Sequence, residues 1–87
     1  MDEYIDFLQD YKDCLDRINN FEKYNYAETE IWAFNKYTDW VKKNPKCALS
    51  LTGNINIPIN NKEKAWNAIN NLRTTLDKIA MINNIKI

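Results

Sequence analysis

Apolar residues recur at alternating four- and three-residue steps from the start of the chain: Tyr4, Leu8, Tyr11, Leu15 and Ile18, widened by Phe7, Cys14 and Phe21. A stripe of that period marks an amphipathic helix, so the pattern predicts a first helix from residue 2 to about 21. Asp2 and Glu3 suit the positive end of its dipole, and Asn19 with Asn20 weakens it near its end. Asn25 followed three residues later by Glu28 has the form of a capping box, and Asn44-Pro45 is a stop, because the residue before proline avoids the helical region. A second helix is therefore expected over 26–43, with Lys42 and Lys43 complementing its carbonyl end. So short a link between the two predicts an antiparallel helical hairpin. With Ala27, Ile31, Phe34, Tyr37 and Val41 as the buried side of the second helix, Trp32 projects the opposite way, among Glu28, Lys36, Asp39 and Lys43.

Between residues 45 and 60 the period changes to two. Cys47, Leu49 and Leu51 alternate with smaller residues, and Ile55, Ile57 and Ile59 alternate with Asn56 and Pro58. This predicts a β-hairpin turning at Thr52-Gly53-Asn54, with every large apolar side chain on one face and Pro58 on an edge. Asn60 and Glu63 repeat the capping-box form and open a last helix, striped by Ala65, Ala68, Ile69, Leu72, Leu76, Ile79 and Ala80 and ending near Asn83-Asn84. The alternation Ile85-Lys86-Ile87 leaves room for a short third strand. The expected fold is thus α+β and mostly helical, in the order α-α-β-β-α, as one compact domain over 1–87. No internal repeat or Gly/Ser-rich linker suggests a second domain.

Eighty-seven residues bury only roughly 60–65 % of their surface on folding, but a hydrophobic fraction of 45 % with 13 % aromatics can fill one core without metal or disulfide. Cys14, at seven-residue spacing from Phe7 and Phe21, is expected to be buried and unpaired, and not bridged to Cys47. No window is apolar enough to span a membrane and the acidic start is unlike a secretory leader, so a cytoplasmic protein is expected. Fourteen asparagines, eleven isoleucines and ten lysines, all with A/T-rich codons, point to a low-GC bacterium or its phage.

The net charge of zero hides two opposed blocks. The first thirty residues hold nine acids against three bases, and the rest hold nine bases against three acids. Asp2, Asp6, Asp10, Asp13 and Asp16 gather on one face of the first helix, which is either a solvated face or a docking surface for a basic partner. Trp32, with Lys36 and Lys43 beside it, is the second candidate. A tryptophan on a charged face is covered by its own chain, anchors an interface, or stacks on a base while the lysines hold phosphate.

Catalysis is not expected: the chain has no histidine, one glycine, and two cysteines in apolar settings. Nor does it carry a metal-ligand pattern, a phosphate loop or a cofactor motif. Two arginines supply too few bidentate forks for sequence-specific DNA reading. The residues point to a small non-enzymatic macromolecule-binding protein, a protein–protein regulator or inhibitor of the anti-defence type found on phages and mobile elements. Its contact residues would be Trp32, Lys36, Lys43, Asp2, Asp6, Asp10 and Asp13. The alternatives are a protein that sequesters a nucleotide or single-stranded nucleic acid, and a self-assembling structural protein. A homodimer is expected from the acidic stripe of one copy meeting the Trp32 face of another, on the premise that the two faces cannot meet within one molecule.

Overall fold

A computed structural model of the chain describes residues 2–49 and 61–86. Three helices make up most of it: α1 (Asp2–Asn19), α2 (Tyr26–Lys43) and α3 (Asn61–Ile82), with 3₁₀ turns at Phe21–Lys23 and Pro45–Cys47. No strand occurs among the described residues, so they form an all-α fold, and the α+β expectation is corrected.

The helix boundaries have local causes. Asn20 closes α1 by donating from its side chain to the Asp16 carbonyl at 3.1 Å, and the 3₁₀ turn that follows drops Phe21 into the core. The Asn25 side chain accepts the Glu28 N–H at 3.0 Å and so caps α2. At the other end the Asn44 N–H returns to the Trp40 and Val41 carbonyls, and Pro45 forbids another helical turn. α3 ends in a Schellman motif. Asn84 is left-handed at φ 54°, its N–H reaches the Met81 carbonyl, and the Ile85 N–H reaches the Ala80 carbonyl at 2.8 Å.

Two of these features stand where the hairpin was to begin and where a third strand was expected. The first is the 3₁₀ turn at Pro45–Cys47; Cys47 is buried there, and its carbonyl accepts the Thr75 hydroxyl at 3.4 Å. The Leu49 N–H donates to the Tyr37 hydroxyl at 2.8 Å, so its hydrogen bond is made to a side chain and not to a ladder partner. Ile85 packs back against the core as part of the α3 cap, where a third strand was expected. The remainder of the expected hairpin, Leu51 to Ile59, the Asn60 cap and Ile87 lie outside the described residues.

Contacts along the helices set their directions. Glu3 faces Lys43, Asp10 faces Lys36 and Arg17 faces Thr29, so α1 and α2 are antiparallel. Tyr11 donates to Asp77 at 2.7 Å and Cys14 to the Ile69 carbonyl at 3.6 Å, so α1 is antiparallel to α3 as well. Hence α2 and α3 are parallel, with Ala33 beside Ala68 at one level and Asn44 beside Asn83 at another. Phe7, Cys14 and Phe21 from the first helical unit meet Ile69, Leu72, Leu76 and Ile79 of α3 in one core.

α2 is rotated relative to expectation. Its buried residues are Thr29, Ala33 and Trp40, whereas Ala27, Ile31 and Phe34 are exposed and Tyr37 and Val41 half-buried. Two physical causes combine. Small side chains at 29 and 33 let α2 approach α3 closely, and Trp40 can bury its ring only where its N–H finds an acceptor. It finds one on α1. The molecule is also a slab, with principal extents of 40, 29 and 16 Å, too thin to enclose both apolar faces of α2.

Candidate functional site

Most of the residues expected to face a partner are held internally. Asp10 sits inside the seam between α1 and α2, only 8 % exposed. One of its carboxylate oxygens accepts the Trp40 indole N–H at 2.8 Å, and the other pairs with the Lys36 ammonium at 3.2 Å. Lys43 lies 4.8 Å above the Trp40 ring and 4.0 Å from Glu3. The acidic stripe and the lysine face therefore do meet within one molecule, contrary to the premise of the expected dimer.

Trp32 is likewise engaged. The Arg17 guanidinium stacks on its ring at 4.7 Å and on the Tyr24 ring at 4.6 Å, and bonds the buried Thr29 hydroxyl at 3.3 Å. Tyr24 in turn donates to Asp16, which raises the Tyr24 pKa. Trp32 is thus covered by its own chain, through a cation–π contact with Arg17 of α1 and not with the neighbouring Lys36.

Asp6 stays exposed and Asp13 half-exposed, the latter accepting from Gln9 at 3.0 Å. Asp2 opens α1, and its side chain lies outside the described part. Asp6, Asp10, Asp13 and Asp39 border one shallow recess, yet among the described residues no group of three or more ligands is placed to hold a metal ion.

Nucleophilic chemistry finds no support in the thiols. Burial pushes the Cys14 thiol up to about 12, and both Cys14 and Cys47 are free and buried. A more open hollow of about 720 Å³ lies between the first 3₁₀ turn and the start of α3. There Phe21 meets Trp66 edge to face, and Glu22 pairs with Lys62 at 2.7 Å. That pair, with the Tyr26 hydroxyl bond, lowers the Glu22 pKa. Two of the hollow's charges, Glu22 and Lys62, are thus matched to each other.

Apolar side chains are also left uncovered. On the outer side of α2, Ile31 is 61 % and Phe34 64 % exposed. Next to Phe34, a cavity of about 100 Å³ opens between α2 and α3, walled by Ala33, Tyr37, Ala68 and Asn71. Half-buried Thr38 follows Phe34 four residues on in the same line, its hydroxyl donating to the Phe34 carbonyl at 2.9 Å. Reading Ile31 and Phe34 as core hid this face. The signal that could have exposed it is that α2 has two apolar lines, one through Ala33 and Trp40, the other through Ile31 and Phe34, roughly 140° apart at 100° per residue. A second apolar group, Tyr4, Ile5, Met81 and Ile82, is exposed on the first turns of α1 and the last turn of α3.

No protein-family model matches this chain, and neither the curated proteins nor the solved structures yield a significant match.

Proposed function

We propose that this chain is a small non-enzymatic binding protein that regulates or inhibits by contact with another protein, and that the outer face of α2 is its contact surface. The carrying observation is the exposure of Ile31 and Phe34 on a regular helix whose other side is packed. Large side chains on a rigid element provide contact area at low ordering cost, and a neighbouring notch offers a place for a partner's anchor. Among the described residues no helix is long and apolar enough to cross a membrane. The nucleotide reading is the weaker one. Its stacking face, Trp32, is occupied by Arg17, and its cations, Lys36 and Lys43, have carboxylate partners.

The experiment compares immobilised wild-type protein with Phe34→Asp for what each retains from an extract of the host cell, followed by titration of each purified candidate against both. A protein that binds the wild type and loses at least tenfold in affinity for Phe34→Asp supports the reading. Candidates that all bind the two forms equally refute it.

A further inference from the structure

The outward line on α2, exposed at Ala27, Ile31 and Phe34 and half-buried at Thr38 and Val41, has a coiled-coil period. Ala27, Ile31, Phe34, Thr38 and Val41 follow one another at steps of four, three, four and three, the spacing of a and d positions in a heptad. This seam faces away from the core, since the residues buried against α1 and α3 are Thr29, Ala33 and Trp40. Along one flank, at seven-residue spacing, stand Glu28, Asn35 and Lys42. All three are exposed, and none of their side chains makes an ion pair or donates or accepts a side-chain hydrogen bond among the described residues.

We propose that α2 pairs with α2 of a second copy of this chain, antiparallel about a two-fold axis near Asn35. The proposal rests on the reading of this face as a contact surface and gives it a second occupant, a copy of this chain, which would compete with another protein for the same residues. Charge selects both occupant and direction. In an antiparallel pair the same flank of each helix meets, so Glu28 lies across from Lys42 of the partner subunit, Lys42 across from Glu28 of the partner subunit, and Asn35 across from its own copy. A parallel pair joins opposite flanks, where Lys42 meets Tyr37 and Glu30 meets Asn35, with no opposite charges matched. In the antiparallel register Ile31 packs on Val41 and Phe34 on Thr38, next to the notch between α2 and α3. Each contact is used twice by symmetry.

From Ala27 to Val41 the seam is about 21 Å long, shorter than a standard-sized interface requires. The dimer therefore has a dissociation constant on the order of micromolar, not nanomolar.

Sedimentation velocity over low to several hundred micromolar protein, with far-UV circular dichroism to verify folding, tests the proposal in three steps. The wild type should pass from monomer to dimer, and Phe34→Asp should remain monomeric. Glu28→Lys and Lys42→Glu should each weaken self-association roughly tenfold in low salt, since reversal of one residue spoils two surface pairs. Mixed together, they should form a heterodimer as tight as the wild type, because both pairs are then opposite in sign. Asn35→Cys, in a chain whose native thiols are buried, should oxidise to a covalent dimer, and Lys12→Cys on α1 should not. A wild type that stays monomeric throughout, or charge variants that fail to rescue each other, overturns the self-pairing. Failure here is distinguishable from failure of the contact-surface reading, which still stands if a different protein binds the wild type and not Phe34→Asp.

Discussion

Replacing Asp10 by alanine should destabilise this protein more than replacing any other carboxylate of the α1 stripe. The carboxylate is buried, and its two oxygens serve the Trp40 N–H at 2.8 Å and the Lys36 ammonium at 3.2 Å. Loss of a hydrogen bond to a charged acceptor costs about 1.5–3 kcal/mol, and the stranded indole donor of a ring only 6 % exposed adds to that. Lys36 contributes less. Its side chain is 34 % exposed and can turn to water, so its share after screening is about 0–1 kcal/mol. Relief from burying a charge offsets part of the loss. The expected net cost is about 2–4 kcal/mol for Asp10→Ala, and about 1 kcal/mol for Asp10→Asn, which keeps an acceptor for Trp40. Asp6→Ala, on the exposed face, should stay within about 0.5 kcal/mol of wild type. Urea unfolding followed by far-UV circular dichroism reads these differences; with a slope of about 1 kcal/mol per molar urea, Asp10→Ala should lower the midpoint by about 2 M or more. Equal midpoints for Asp10→Ala and Asp6→Ala would refute the account of the α1–α2 seam.

The rotation of α2 predicts that Ala33→Asp, at a fully buried site, costs several kcal/mol whereas Phe34→Asp costs about 0.5 or less; thermal melts that rank them the other way would restore the face expected from sequence. Arg17→Ala should cost about 1–2 kcal/mol and shift Trp32 emission to the red as its ring loses the guanidinium cover, and an unchanged spectrum would show that the stack does not persist in solution. Because burial raises the Cys14 thiol from 9.0 to about 12, its contribution is complete below pH 9 and lost as the pH rises toward 12, about 2–3 kcal/mol by pH 11. Tyr11, raised first by burial and then by its bond to Asp77, adds in the same direction. Cys14→Ala should flatten the alkaline loss of stability, and rapid reaction of the native protein with a thiol reagent would contradict the burial of both cysteines.

Where the chain becomes helical was legible in its residues, since the causes act within a turn: the Asn25 cap on Glu28, the stop at Asn44-Pro45, and the unbroken stripe from Ala65 to Ala80. The burial of Cys14 followed from its seven-residue spacing for the same reason, because α1 has one apolar line and no choice of face. α2 has two, and periodicity cannot say which turns inward. Tertiary packing decided, through the close approach of Ala33 to α3 and the Asp10 acceptor that let Trp40 be buried. The same contact removed Asp10 and Lys36 from the candidate surface, Arg17 covered Trp32, and Ile31 and Phe34 stand in their place. Likewise, alternation alone could not distinguish a strand from the 3₁₀ turn at Pro45–Cys47 or from the cap at Ile85. Both are settled by hydrogen bonds to distant or helical partners: the Cys47 carbonyl is bonded from α3, and the Ile85 N–H returns to Ala80. A residue's local pattern determines whether it enters a helix; which side of that helix meets solvent depends on the shapes and acceptors that the other helices bring to it.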